Sequence, residues 1–418
     1  MSPRGHRIVS WGWAVAGVAA VVVAASSLGG APEARGAAGS LQILPGHLIG
    51  SDYESDKFYV RQGDGDWELT YTPGWQGDGF SEQVRGTLPN LRAANGVFDD
   101  ESGEILEYDP DFTAQANTDA FVANLDSYRE HGLLATDVNL QGGNPGYGGA
   151  ENAAFDSDGS LRQEWTDRAG QVIEAHAERN MVVVLGLFYF HQDQVLEDED
   201  AVRQAVTNAT DWLIENDYRN VIIEIANEYN DDDAYDHEII HSDEGMAELI
   251  ELAQSRFDDA DFRLAVSASR FGDGSWPDDA VADAADLALL HCNGLDAEGC
   301  AEAAAEQQQE RDYPIVVNET NNTAGTYTDE TLDEDRAAID ELTATGASWG
   351  LMLNQWNQYA PCVYEDDCGS AGFDWALGPD PGANGSGAEL LRNFAHGVLD
   401  HLEEVVFSPD RRGEHGGP

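Results

Sequence analysis

The sequence predicts an α/β fold: a single (β/α)8 TIM barrel with an N-terminal extension. Three observations lead there. From about Leu88 onward, short runs rich in Val, Ile and Leu alternate with longer helix-like stretches, the order of a parallel sheet with crossover helices. Runs such as 221–226 and 314–317 are apolar without in–out alternation, so both of their faces are covered. Eight strands and seven helices can be counted along the chain, and eight parallel strands close a barrel.

Taken in order, residues 1–38 have the layout of a secretory signal peptide. Arg4, His6 and Arg7 precede an apolar stretch from Trp11 to about Leu28, and Gly36-Ala37-Ala38 supplies a small-residue cleavage zone. No cysteine lies near it, so lipid attachment is not expected. The expected destination is extracellular, with no stable membrane insertion after processing. Residues 39–85 read as an extension capping the barrel, with a hairpin-like turn at Gly63-Asp64-Gly65-Asp66. The barrel itself spans 86–407, and 408–418 form a flexible tail.

Within the barrel, Asn90 to Phe98 reads as the first strand. A helix over Thr118–His131 stops at Gly132, and strand two is Leu133–Leu140. A helix over 161–179 leads to strand three, Met181–Phe188, and one over 197–216 to strand four, Asn220–Ala226. After a long acidic loop, a helix near 245–257 precedes strand five at Phe262–Ser267. Strand six is Leu287–His291, and a helix near 301–311 leads to strand seven, Ile315–Asn318. A helix over 333–345, strand eight at Ser348–Asn354 and a last helix over 387–402 complete the ring. No repeat or linker separates a second module, and a monomer is expected.

The charge is extreme: 79 acidic against 21 basic residues, a net of −58, with Lys57 as the only lysine. Such a chain is repelled by nucleic acid and by anionic membranes, so neither is an expected partner. The acids are spread along the whole chain rather than gathered in a tail, and ten tryptophans speak against disorder. The expected setting is concentrated salt, where the Debye length shrinks to about 3 Å and the repulsion is screened. Cys292, Cys300, Cys362 and Cys368 form two close pairs. In an exported protein, bridges Cys292–Cys300 and Cys362–Cys368 are the simplest of the three connectivities. No CxxC or histidine spacing supports zinc, and the Asp clusters at 156–158 and 231–233 complete no calcium loop, so neither a metal nor any other cofactor is expected.

Two of the strands end on the same dipeptide, Asn227-Glu228 and Asn318-Glu319. The last residue of a barrel strand emerges on the face where active sites lie. Two carboxylates delivered there by different strands are the minimum equipment for cleaving a glycosidic bond. In this pair of motifs the chain resembles the clan A glycoside hydrolases, the cellulase-like superfamily that includes glycoside hydrolase family 5. The resemblance extends loosely over residues 85–400. It implies that Glu228, preceded by Asn227, is the acid/base and that Glu319 is the nucleophile. It also implies that Trp356 floors the sugar subsite, that His291 lies near the nucleophile, and that Asn227 meets the sugar 2-hydroxyl. Asn139, Gln141 and His191, at the ends of strands two and three, are further candidates for binding sugar hydroxyls. Family 5 members commonly place an arginine near the early strand ends. Strand two ends here in Gln141, which leaves Arg92 as the candidate.

The expected activity is therefore a secreted, salt-adapted retaining glycosidase acting on an oligo- or polysaccharide. Its acid Glu228 would hold a proton because of burial and the nearby charge of Glu319. An inverting mechanism stays open, because only the separation of the carboxylates decides it. An exported carbohydrate-binding pseudoenzyme on the same barrel is the alternative.

Overall fold

The computed structural model describes residues 59–61, 67–69, 96–98, 105–107, 114–142, 153–179, 181–260, 262, 264–270, 272, 274, 279–310, 315–320, 326–345, 347–351 and 375–407. The signal segment 1–38, Trp356, the pair Cys362 and Cys368 and the tail 408–418 lie outside them. Strands β1 (Tyr59–Arg61) and β2 (Trp67–Leu69) pair antiparallel; the expected turn at 63–66 lies outside the described residues. Strands β3 (Gly96–Phe98) and β4 (Ile105–Glu107) form a second antiparallel pair. This differs from the expected parallel first strand over 90–98: the described part of that segment closes a local hairpin instead.

The parallel array begins after helix α1 (Ala114–Glu130), which ends at Gly132 with φ 87°. Strands β5 (Ala135–Asn139), β6 (Val182–Phe188), β7 (Val221–Ala226) and β8 (Ala265–Ser267) pair in sequence order, all parallel. Strands β9 (Ala288–His291) and β10 (Ile315–Glu319) form a further parallel pair. Parallel bridges from Ser269 to Leu289 and from Val316 to Ser348 join β8 to β9 and β10 to the next stave. Each named strand of the array is buried along its whole length, which is why β6 and most of β7 and β10 read as Val/Ile/Leu runs without in–out alternation.

The crossovers are α2 (Gln163–Ala177), α3 (Glu199–Glu215), the short α4 (Glu238–His241) followed by α5 (Asp243–Asp259), α6 (Asp279–Ala284), α7 (Ala297–Glu310) and α8 (Asp329–Thr345); α9 (Gly387–Phe407) ends the described chain. Caps set several of the starts. The Asp198 carboxylate accepts from Ala201 N at 2.9 Å and opens α3, and Ser242 Oγ accepts from Gly245 N at 3.3 Å and opens α5. Along α5 the buried residues Met246, Leu249, Ile250, Ala253 and Phe257 recur at helical spacing and face the sheet.

Two contacts show how the array curves. Asn318 Nδ2 on β10 donates to Asp137 Oδ2 on β5 at 3.3 Å. In a flat sheet these strands would lie five steps apart, about 24 Å at the usual spacing. Their side chains meet only because the sheet rolls round on itself, as in a (β/α)8 barrel. On the outside, the Tyr128 hydroxyl of α1 donates to the Trp375 carbonyl, and Phe121 meets the Trp375 ring edge-on with centroids 5.8 Å apart. The segment that follows the last stave is thereby held against the first helix of the array.

Candidate active site

Glu228 and Glu319 stand at the carboxyl ends of β7 and β10, 4% and 3% exposed. A carboxylate oxygen of each and a ring nitrogen of His291 lie within 4.8 Å of one another. His291, the last residue of β9, comes between them: its Nδ1 is 2.8 Å from Glu228 Oε1 and 3.3 Å from Glu319 Oε2. Asn293 makes a second bridge, its Nδ2 donating to Glu319 Oε2 at 3.0 Å and to Glu228 Oε1 at 3.3 Å. β9 and β10 are neighbours, and Cys292 N donates to the Glu319 carbonyl at 2.8 Å. The disulfide Cys292–Cys300 then ties the end of β9 to α7.

The Glu228 backbone is unusual. Its φ of 46° places a non-glycine residue in the left-handed region, a conformation that costs of order 1–3 kcal/mol and persists only where neighbours enforce it. Here Ser269 does so from the end of the adjacent stave, its Oγ accepting from Glu228 N at 2.9 Å and its carbonyl from Tyr229 N at 3.0 Å. The turn lifts the Glu228 side chain off the β7 line and toward β9 and β10.

Electrostatics follow from this crowding. Burial, the largest single influence on the imidazole of His291, opposes its charge. The charge of Glu319, the hydrogen bond and charge of Glu228, and the charge of Glu224 together outweigh burial and push the His291 pKa up to about 9. The surroundings of His291 therefore favour its charged, imidazolium form. The sequence-based expectation put a proton on Glu228 because of burial and the charge of Glu319; His291, 2.8 Å from Glu228 Oε1, is a second place for that proton. The same three side chains are close enough to ligate a metal ion, but a protonated imidazole offers a donor, not a lone pair.

The remaining expected residues separate into groups. Asn227 is buried behind Glu228; its N–H donates to the Phe188 carbonyl at 3.1 Å and its carbonyl accepts from the Tyr235 hydroxyl at 2.5 Å. Asn139 is buried at the end of β5, and neither atom of its amide has a partner among the described residues. Its side chain fills the space over Gly186, where a Cβ would fall 1.7 Å from Asn139 Oδ1. His291 Nε2 and Asn293 Oδ1 are likewise buried without a partner there, on two residues that already touch both carboxylates. Gln141 belongs elsewhere: its amide accepts from Tyr189 N and donates to the Gln192 carbonyl, both at 3.2 Å, and so holds the loop after β6. His191 is exposed, with φ 56°, and its N–H donates to the Ala234 carbonyl at 2.9 Å. The structure does not bring it to the glutamates.

Three residues outside the expected set shape the site. Ser269 and Asn293 were legible only as strand-end polar residues. Asp193 carried no signal at all. Buried in a 3-10 turn after β6, its Oδ2 accepts from Asp236 N, His237 N and His237 Nδ1 at 2.9, 3.0 and 2.8 Å. It staples the loop after β6 to the loop after β7. The hydrogen bond to Asp193 is the main reason that the His237 pKa is raised.

No protein-family model matches the sequence, and no curated protein matches it. Among solved structures, the fold is similar to an endo-1,4-β-mannanase from Eisenia fetida (11% identity, 82% of this chain and 94% of that one, TM-score 0.49). It is also similar to a broad-specificity GH5-4 endoglucanase from Ruminococcus champanellensis with bound cellotriose (9% identity, 80% and 96%, TM-score 0.48). A third is PbGH5A, a glycoside hydrolase family 5 enzyme from Prevotella bryantii (12% identity, 79% and 99%, TM-score 0.44).

Proposed function

We propose that this chain is a retaining glycoside hydrolase, exported and adapted to salt, with Glu319 as nucleophile and Glu228 as acid/base. The observation that carries the proposal is the approach of two buried carboxylates from separate staves, with oxygens within 4.8 Å. Direct attack by one carboxylate needs a separation of about 5–5.5 Å between the groups; a water held between them needs about 6.5–9.5 Å. The short class favours double displacement.

In the first step Glu319 attacks the anomeric carbon. The glycosidic C–O bond breaks, and its oxygen takes a proton from Glu228. The proton at rest lies on His291 Nδ1, aimed at Glu228 Oε1. As Glu319 is consumed in the ester, the imidazolium loses the largest of the charges that stabilise it. Its proton then moves along the 2.8 Å hydrogen bond and reaches the leaving group through Glu228. In the second step Glu228 takes a proton from water, whose oxygen attacks the same carbon and frees Glu319. The unused amide atoms of Asn139 and Asn293 suit sugar hydroxyls. Export rests on the 1–38 segment, and salt adaptation on the net charge of −58.

The test uses aryl glycosides of graded leaving-group ability, assayed in molar salt. Glu319→Ala should remove turnover of all of them, with azide partly restoring it and giving the inverted glycosyl azide. Glu228→Ala should slow poor leaving groups about 100-fold or more and activated ones far less. Equal losses for both leaving-group classes would remove the acid role. A wild type inert on every glycoside, but retained on polysaccharide columns, would establish the carbohydrate-binding alternative.

A further inference from the structure

On the side of the array away from the glutamates lies a second cluster, unconnected with the proposed activity. His131 follows α1 in the link to β5, on the face where the strands begin. That is the stability face of such a barrel, not the catalytic one. His396 and Asp400 stand one turn apart on α9, so they project from the same side of that helix. The two imidazole rings meet edge-on with centroids 5.1 Å apart. A ring nitrogen of His131, one of His396 and a carboxylate oxygen of Asp400 lie within 4.8 Å of one another.

The tautomers are fixed by their neighbours. His131 Nδ1 is 2.7 Å from the Ser127 carbonyl, and His396 Nδ1 is 2.6 Å from the Gly378 carbonyl. A carbonyl only accepts, so each Nδ1 carries the hydrogen and each neutral ring keeps its lone pair on Nε2. Backbone carbonyls that orient a histidine in this way are the usual outer support of a metal-ligating imidazole. Each ring thus keeps an Nε2 lone pair for a ligand, beside a carboxylate that only accepts.

We propose that His131, His396 and Asp400 form a binding site for a borderline divalent transition metal, zinc above all, which clasps α1 to α9. Two imidazole nitrogens and one carboxylate are a common three-ligand set for zinc, with water in the fourth position. Bonds of about 2.0–2.1 Å place tetrahedral ligands about 3.4 Å apart, so the three atoms need to close by little more than an ångström. Calcium and magnesium, which favour oxygen ligands throughout, do not suit a pair of imidazoles. Because α1 opens the array and α9 ends the described chain, the ion would bind the folded state and not the unfolded one, and it would stabilise the fold.

The experiment takes the full chain, stripped of metal by chelator and held in high salt to suppress loose binding by surface carboxylates. Zinc chloride is titrated calorimetrically, and melting curves are recorded with and without it. The expected result is one saturable site and a rise in Tm, neither reproduced by magnesium chloride. His396→Gln should abolish both effects, and Asp400→Asn should weaken binding about tenfold or more. Glu319→Gln, which alters the other cluster able to ligate a metal, should leave this binding in place. Should His396→Gln fail to fold, cobalt(II) added to the wild type and to Asp400→Asn decides the matter. Ligand-field absorption of histidine-bound cobalt is expected in the wild type at lower cobalt concentration than in the variant. Absence of a saturable zinc site in the wild type, or equal affinity in Asp400→Asn and wild type, would overturn the proposal.

Discussion

His291 gains its charge only in the folded state, and this makes its effect on stability directional. Its pKa rises from 6.5 to about 9. The folded protein therefore binds this proton more tightly than the unfolded chain does. The resulting stabilisation is fully present below pH 6.5 and is lost as pH rises through about 9. Tm measured in molar salt should fall across that window in the wild type and stay flat in His291→Gln. The same variant should lose about 100-fold or more in turnover, and an alkaline limb near pH 9 should vanish from its rate profile. Gly186 makes a second prediction at this scale. Gly186→Ala would drive a methyl group into Asn139 Oδ1, so the variant should lose about 1–3 kcal/mol in a denaturant titration. At this scale the meeting of Glu228, Glu319 and His291 was legible, because each closes an apolar strand of a parallel array and such strand ends share one face. Gln141 and His191 ended strands in the same way, yet their directions depended on loop backbone that no strand pattern encodes. The left-handed turn at Glu228 was hidden for a similar reason. It is imposed by Ser269 from another stave, not by local sequence.

Among the elements, strands were read more reliably than their connections. The buried strands β5 to β10 fall on the expected strand segments, whereas the short helices α4 and α6 lacked enough periodicity to be found. Helix α7 begins at Ala297, ahead of the expected 301, so Cys300 lies within it. The disulfide thus joins a strand end to a helix across a separation of eight residues. Its loss as Cys292→Ser/Cys300→Ser should cost about 2–3 kcal/mol by loop entropy. The larger effect should fall on activity, because Cys292 follows His291 and its N–H holds the Glu319 carbonyl. Turnover and Tm compared in this double variant should show the rate falling at temperatures where the fold survives. Helix α2 contributes an acid-sensitive point. His176 is buried against Thr136 and Val172, and burial lowers its pKa to about 4. The folded state excludes this proton, so the stability it confers is present above pH 6.5 and is lost as pH falls toward 4. In molar salt, where carboxylate repulsion is screened, Tm should drop over that interval, and His176→Gln should flatten the drop.

For the molecule as a whole, charge is the dominant fact. With 79 acids and 21 bases, most carboxylates have no cation to meet, and even the bidentate pairing of Arg179 with Asp126 lies at the surface, where such pairs contribute about 0–1 kcal/mol. Tm should therefore rise steadily from 0.1 M to about 3 M salt as the screening length contracts from about 10 Å to under 3 Å. A melting temperature independent of salt would separate the acidity from any adaptation to brine. The barrel-like closure has a consequence for how the chain must fold. Tyr128 meets Trp375 across 247 positions, and Asn318 meets Asp137 across 181. Contacts so distant in sequence make for slow folding, since a long loop must be ordered before any of them forms. During synthesis the early staves must wait with an open edge until residues near 375 have emerged. Exposed parallel strands of this kind invite association with one another. The same acidity would keep such half-built chains apart in the interval, by giving every one of them the same sign.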